Sequence, residues 1–132
     1  MTWYYKGKPL EEIPEKTIGF VYCITNKIDG RCYFGKKLFW FSKTKQVKGK
    51  KKKTKVESDW RTYYGSNDAL NADVETHGSD KFYREILHLC EAKGMMSYME
   101  LKEQMDHRVL EYPDRYYNSI IQVRIHRTHV KT

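Results

Sequence analysis

The sequence predicts an α/β domain of the α+β kind, a small three-stranded antiparallel sheet flanked by helices and carrying a lysine-rich insertion loop. Residues 19–37, GFVYCITNKIDGRCYFGKK, form two short runs rich in β-branched and aromatic residues, joined by a polar loop ending in Asp-Gly. Residues 95–110 carry an apolar stripe at helical spacing, Tyr98, Leu101, Met105 and Val109. The whole chain has 132 residues, 39% of them hydrophobic and 14% aromatic, enough for a single domain spanning 1–132 around one core.

The first sixteen residues are polar and punctuated by prolines, which predicts an irregular lead-in whose Trp3, Tyr4 and Tyr5 pack as a lid. The first strand is expected from Ile18 to Thr25 and the second from Arg31 to Phe39, with Lys27–Gly30 as the hairpin loop. That loop sets Ile24 opposite Tyr33 and Tyr22 opposite Gly35, so the two tyrosines become diagonal neighbours on one face. The other face then carries Val21, Cys23, Cys32, Phe34 and Leu38, an apolar set suited to the core. Gly35 leaves open space beside the Tyr22 phenol, which suits a site more than a packed sheet. Ser66 as N-cap, Asp68 in the first turn and His77-Gly78 as the stop predict a first helix. Lys81–Leu89 reads as a third strand and Met95–Leu110 as a second helix, closed by Pro113. A short extended segment over YYNSIIQVRIH ends the chain.

The net charge of +8 has a single source. Residues 43–55, KTKQVKGKKKKTK, hold eight lysines (Lys43, Lys45, Lys48, Lys50, Lys51, Lys52, Lys53 and Lys55) and no acid. The remaining 17 lysines and arginines balance the 17 acidic residues. Such a cluster repels itself and stays extended until it meets a polyanion, where each neutralised phosphate releases counterions. Nucleic acid is the favoured partner. An acidic membrane or protein surface and a solubilising loop are the alternatives. No apolar stretch approaches the ~20 residues of a membrane helix, and the N-terminus lacks the apolar run of a signal peptide, so a cytoplasmic protein is expected. Cys23, Cys32 and Cys90 have no metal-ligand spacing and read as reduced thiols in strands.

Phe20-Val21-Tyr22 and Tyr33-Phe34-Gly35, with ten residues between the tyrosines, resemble the two signature triplets of the GIY-YIG nuclease superfamily. THGSDKFYREIL is similar to that family's helix end, His-Gly turn and third strand. A glutamate-bearing helix and Tyr117-Asn118 follow as its counterparts do. The resemblance covers roughly residues 18–120 and is nearest to small phage-encoded relatives of homing endonucleases, which implies a bacterial or phage-infected host cell. Phe20 stands where the signature has its first glycine, with Gly19 just before it. The basic insert occupies the place where the family usually has the helix bearing its arginine.

The resemblance implies a divalent-metal-dependent endonuclease that hydrolyses DNA phosphodiester bonds. Tyr22 would orient or deprotonate the attacking water and Tyr33 would hydrogen-bond a phosphate oxygen or that water. A phenol of pKa ~10 is a poor base unless cations stabilise its phenolate, and Lys36, Lys37 and Arg61 are the candidates for that work. Arg61, just ahead of the first helix, is the arginine candidate; a surface ion pair with Glu57 or Asp59 is its alternative. Tyr64, close to where some relatives place a helping histidine, would support the same phosphate, as a nucleic-acid-binding residue. Lys37 and the eight loop lysines would hold nucleic acid. One glutamate would hold Mg²⁺ or Mn²⁺, with Glu100 favoured and Glu103 its rival. Gly35 and Asn118 would give structural support, Asn118 by securing the glutamate helix through hydrogen bonds, with a turn residue as its alternative. His126 and His129 lack an acidic or cysteine partner and make a weak metal site.

One such site cuts one strand, so double-strand cleavage would need a homodimer, sequential nicking or an exchange of partner. A nucleic-acid-binding module that has lost catalysis is the second reading of the same residues. A basic structural protein would explain the charge but not the paired tyrosines.

Overall fold

The computed structural model describes residues 2–130; within them, nothing is described of the side chains of residues 45–47 and 51–53. The strands are β1 (Trp3–Tyr5), β2 (Lys8–Leu10), β3 (Gly19–Asn26), β4 (Cys32–Leu38), β5 (Trp40–Val47), β6 (Lys50–Glu57) and β7 (Phe82–Cys90). The helices are α1 (Asp68–His77) and α2 (Lys93–Asp106). Five strands form one sheet in the order β2-β1-β7-β3-β4, and β5 and β6 form a separate two-stranded ribbon.

The expected three strands are therefore the middle and one edge of a larger mixed sheet. The N-terminal lead-in is not irregular. β1 lies parallel to β7 and antiparallel to β2, and Trp3 is a buried core residue whose indole N–H donates to the Trp60 carbonyl at 2.7 Å. Strands of three residues are too short to show a period in sequence. The hairpin register is as expected, with Tyr22 opposite Gly35 and Ile24 opposite Tyr33. Asn26 Oδ1 accepts from the Ile28 amide and Asp29 Oδ1 from the Arg31 amide, which fixes the connecting loop.

The main core lies on the face opposite to the one expected. Phe20, Tyr22 and Ile24 pack with Trp3, Phe39, Trp60, Leu70 and Ile86 beneath α1 and the 3₁₀ turn Trp60–Thr62. The Val21 face carries a smaller cluster with Cys90 and Met96, covered by α2. Both faces are thus buried, and alternation alone could not rank them. The pairing of β3 with β7 shifts between Val21 and Tyr22, so that Ile86 faces Tyr22 while His88 faces Val21. Leu87 is the extra residue of this bulge. It turns His88 to the α2 side, where its Nε2 lies 2.8 Å from Glu103 Oε1.

Other boundaries move for local reasons. The N-cap of α1 is Asn67, not Ser66, because the Asn67 carbonyl oxygen accepts from the Leu70 amide. α2 ends at Asp106, and Val109 lies buried in the following turn. The C-terminal stretch adds one isolated bridge, Cys32 with Tyr116, rather than a strand. It still closes the free edge of β4. The Cys32 amide donates to the Arg115 carbonyl, and the Tyr117 amide donates to the Cys32 carbonyl, both at 2.9 Å. Buried Asn118 then takes the place of a strand residue: its Oδ1 accepts from the Phe34 amide at 3.0 Å and its Nδ2 donates to the Phe34 carbonyl at 2.9 Å. Gln104 of α2 reaches the same carbonyl at 3.4 Å.

The lysine-rich segment is a ribbon and not a loop. β5 and β6 pair from Trp40–Glu57 to Val47–Lys50, and Lys48 and Gly49 turn with φ of 50° and 77°. Two successive left-handed residues match the twist of a two-residue hairpin, for which Gly49 carries no steric cost. Among the described residues, no helix is long and apolar enough to cross a membrane.

Asn118→Ala is expected to lower the unfolding free energy by about 1–3 kcal/mol, because it removes the partner of the Phe34 amide and leaves the Phe34 carbonyl only the longer bond from Gln104. Urea denaturation followed by circular dichroism measures it, with the exposed Ser119→Ala as a near-neutral comparison.

Candidate active site

Tyr22 is 1% exposed, ringed by Trp3, Phe20, Tyr33 and Tyr63. Its ring lies directly on Gly35: a Cβ built there would stand 2.6 Å from the phenol Cζ and 3.0 Å from the Tyr33 ring. The space that the glycine leaves is filled by Tyr22 itself, which corrects the expectation of an open gap. The Tyr22 and Tyr33 ring centroids are 6.2 Å apart. Burial, followed by the neighbouring phenols of Tyr63 and Tyr33, holds the Tyr22 pKa well above its ordinary value. Burial raises Tyr33 as well, against a hydrogen bond with Ser66 at 3.2 Å. Both phenols are therefore neutral donors at physiological pH.

Tyr33 opens onto a polar pocket of about 250 Å³, lined with Ser66, Asn67, Glu100, Gln104 and Asn118. β4 supplies the phenol, α2 the carboxylate and the C-terminal segment the amide. Glu100 has no hydrogen bond or ion pair among the described residues. Burial raises its pKa and the Lys36 ammonium works against that rise. Lys36 lies on the α2 side of the sheet and donates to Ser97 Oγ at 2.7 Å, one helical turn before Glu100. Glu103 faces away from the pocket. It is engaged by His88 at 2.8 Å and by His107 at 3.5 Å. The two glutamates are thus separated by their partners: the free carboxylate at the pocket is Glu100.

Lys37 points to the tyrosine face. Its ammonium lies 4.1 Å from the Tyr63 ring centroid, 5.0 Å from that of Phe41 and 2.6 Å from Asp59 Oδ1. Tyr63 packs edge-on against Tyr22 with centroids 6.0 Å apart. Tyr63 was not singled out by sequence. It follows the 3₁₀ turn in extended backbone, where adjacent residues point to opposite sides, and only the turn's orientation decides which of Tyr63 and Tyr64 meets the site. Tyr64 instead lies beneath the Arg84 guanidinium, 4.4 Å away.

Arg61 does not join the tyrosines. Its Nε donates to Glu57 Oε2 at 3.0 Å and its Nη1 to the Glu11 carbonyl at 2.6 Å, while its guanidinium stacks on Trp60. It lines a different cavity, with Thr2, Trp3, Leu10 and Trp60. The expected surface pairing with Glu57 describes its position. The buried arginine of the domain is Arg84, on β7, which donates to the Tyr63 carbonyl at 2.8 Å; its Nε and Nη2 have no partner among the described residues.

Of the nucleic-acid candidates, Lys43, Lys48, Lys50 and Lys55 are exposed on the ribbon. The side chains of Lys45, Lys51, Lys52 and Lys53 lie outside the described residues. The three cysteines are unbonded; Cys90 is buried and Cys23 and Cys32 are half-buried. His126 and His129 cap the turn Arg127–His129. The described residues contain no group of three or more His, Cys, Asp or Glu side chains arranged to hold a metal.

The family model described as "Putative endonuclease segE, GIY-YIG domain" matches residues 3–121. No curated protein and no solved structure matches the chain.

Gly35→Ala is expected to cost about 1–3 kcal/mol by overpacking. The same change in a Tyr22→Phe background should cost less, since the hydroxyl against the new methyl is gone; a double-mutant cycle in urea reads the difference. For Glu100 the sign follows from its raised pKa. Below the ordinary value of 4.5 both states are protonated. As pH rises from there to the folded pKa, the unfolded chain ionises first and stability falls. Glu100→Gln should therefore raise Tm at neutral pH and leave it unchanged in acid, as measured by calorimetry across pH.

Proposed function

The chain belongs to the GIY-YIG endonuclease domain family, and on that premise we propose that it is a divalent-metal-dependent endonuclease hydrolysing DNA phosphodiester bonds. The observation that carries this reading is the convergence of the Tyr33 phenol and the unpartnered Glu100 carboxylate on one polar pocket. A pocket with one carboxylate and several neutral oxygen and amide groups fits Mg²⁺ or Mn²⁺, which complete their shell with water and phosphate oxygens. It does not fit a metal that needs a cage of protein ligands. When bound at Glu100, such an ion supplies positive charge to the leaving sugar oxygen and to the pentacovalent phosphorus centre.

The chain's own groups divide the remaining work. Tyr33, a neutral phenol, donates to a phosphate oxygen, with Ser66 holding its orientation. Tyr22 is kept protonated by burial, so its part is to orient rather than to deprotonate. It backs Tyr33 and fixes the floor at Gly35. Lys36 and Lys37 stand on either side of β4 and offset the negative charge that gathers as the water oxygen bonds to phosphorus. Asn118 holds the C-terminal segment on the edge of β4 through both backbone groups of Phe34. A phosphate contact of this kind orients the backbone without reading sequence.

The outward placement of Arg61 favours a second reading, a nucleic-acid-binding module without catalysis. One assay separates the two. Supercoiled plasmid is incubated with the protein and Mg²⁺, Mn²⁺ or chelator, beside Glu100→Ala, Tyr33→Phe and Arg61→Ala. Nicking that needs metal, falls at least about a hundredfold in Glu100→Ala and about tenfold or more in Tyr33→Phe supports the enzyme. Arg61→Ala should retain activity within about threefold. Salt-sensitive binding with no nicking under any metal would leave the binding module standing.

A further inference from the structure

The basic ribbon does not stand apart from the pocket. Between β4, the start of β5 and the first turn of α2 runs a groove of about 370 Å³ whose lining includes Lys36, Lys37, Phe41 and Lys93. At one end Lys36, next to Gly35, donates to Ser97 one helical turn before Glu100, whose carboxylate feels its charge; at the other Lys37 meets Phe41 of β5. The first turn of α2 contains no acidic residue and its N-cap offers no side-chain hydrogen bond. Lysines gathered at the positive end of a helix are electrostatically unfavourable by themselves and become favourable when an anion lies between them. Phe41 is 42% exposed in the same groove.

The ribbon has a shape as well as a charge. Each strand has eight residues, which at ~3.3 Å per residue gives an arm of ~25 Å. Two strands with their side chains fill the ~12 Å major groove of B-form DNA. The major groove of duplex RNA is too deep and narrow to admit them, and a single strand offers no groove at all.

We propose that β5 and β6 are a duplex-reading arm that enters the major groove of B-form DNA, while Lys36, Lys37 and Lys93 guide the adjoining phosphate backbone into the Tyr33–Glu100 pocket. What the pocket then does rests on the nuclease reading above; what the arm binds does not. An arm of lysines in the groove gives duplex form and position, and the scarcity of bidentate side chains on the ribbon makes base discrimination weak.

The test compares three full-length or arm-shortened proteins by fluorescence anisotropy without divalent metal. They are the wild type, a variant with residues 42–55 replaced by Asn-Gly between Phe41 and Val56, and Lys43→Gln/Lys48→Gln/Lys50→Gln/Lys55→Gln. Phe41 and Val56 are opposed in the ladder an even step from the natural turn, so the shortened arm can close. Probes are one sequence as duplex DNA, single-stranded DNA and duplex RNA, titrated between roughly 50 and 200 mM salt. Wild type should prefer duplex DNA by about tenfold or more over both others. The shortened protein should lose that preference, with a log–log salt slope shallower by about four. The quadruple variant, which keeps the ribbon, should also lose affinity. Equal binding of duplex RNA, an unchanged slope in the shortened protein, or wild-type affinity in the quadruple variant would overturn the arm. Plasmid nicking is followed in parallel. Arm behaviour as expected without nicking removes the nuclease reading and leaves the arm; nicking with no effect of the arm removes the arm alone.

Discussion

Across β3 and β4 the phenol of Tyr22 lies on the bare backbone of Gly35, and the facing of the groups that β4 carries follows from that register. With no side chain at Gly35, the ring tips over the strand and stays buried. The same register sends Tyr33 and Lys37 to the tyrosine side and Lys36 to the helix side. A shift of one residue would bury Lys37 under α2 and turn Tyr33 from the pocket. The contact also sets the chemistry. A phenol sealed this way keeps its proton, and in the proposed reaction Tyr22 would therefore act by shape rather than by charge.

The glutamates are sorted by a different constraint, the bulge at Leu87. It reverses the facing of β7 past Ile86 and presents His88 to α2, where it engages Glu103. One turn of helix away, Glu100 is left with no partner among the described residues and faces polar groups from three segments. Leaving a half-buried carboxylate unpaired costs stability, and such cost is characteristic of a site kept ready for a ligand. The edge of β4 is managed alongside. Asn118 pairs both backbone groups of Phe34, so that the strand bearing Tyr33 and Gly35 is held from both sides although it ends the sheet.

Charge and fold are kept separate in this molecule. The domain without its arm is balanced, so its core does not carry the burden of eight clustered lysines. Pairing them in a ribbon holds like charges in one place, at a cost that a polyanion would relieve. Trp40 packs against the main core and Lys37 meets Phe41, which roots the arm beside the pocket.

The hairpin register, the His-Gly stop of α1, the position of β7 and the family were all legible in sequence, because each rests on local chemistry. Turn residues, alternation and the spacing of the tyrosines are readable within a few residues of one another. The choice between the two sheet faces was not legible, since both are apolar and burial depends on what packs above them. Nor was the strand pairing of Trp3–Tyr5, which depends on β7 some eighty residues away. Arg61 and Tyr64 illustrate the same limit. Sequence put them near the right helix, but the orientation of one 3₁₀ turn sent Arg61 to Glu57 and Tyr64 to Arg84, and brought Tyr63 to the site instead. By itself the sequence determined which groups the domain carries; the tertiary structure decided which of them face one pocket, because convergence depends on packing between segments that local chemistry does not join.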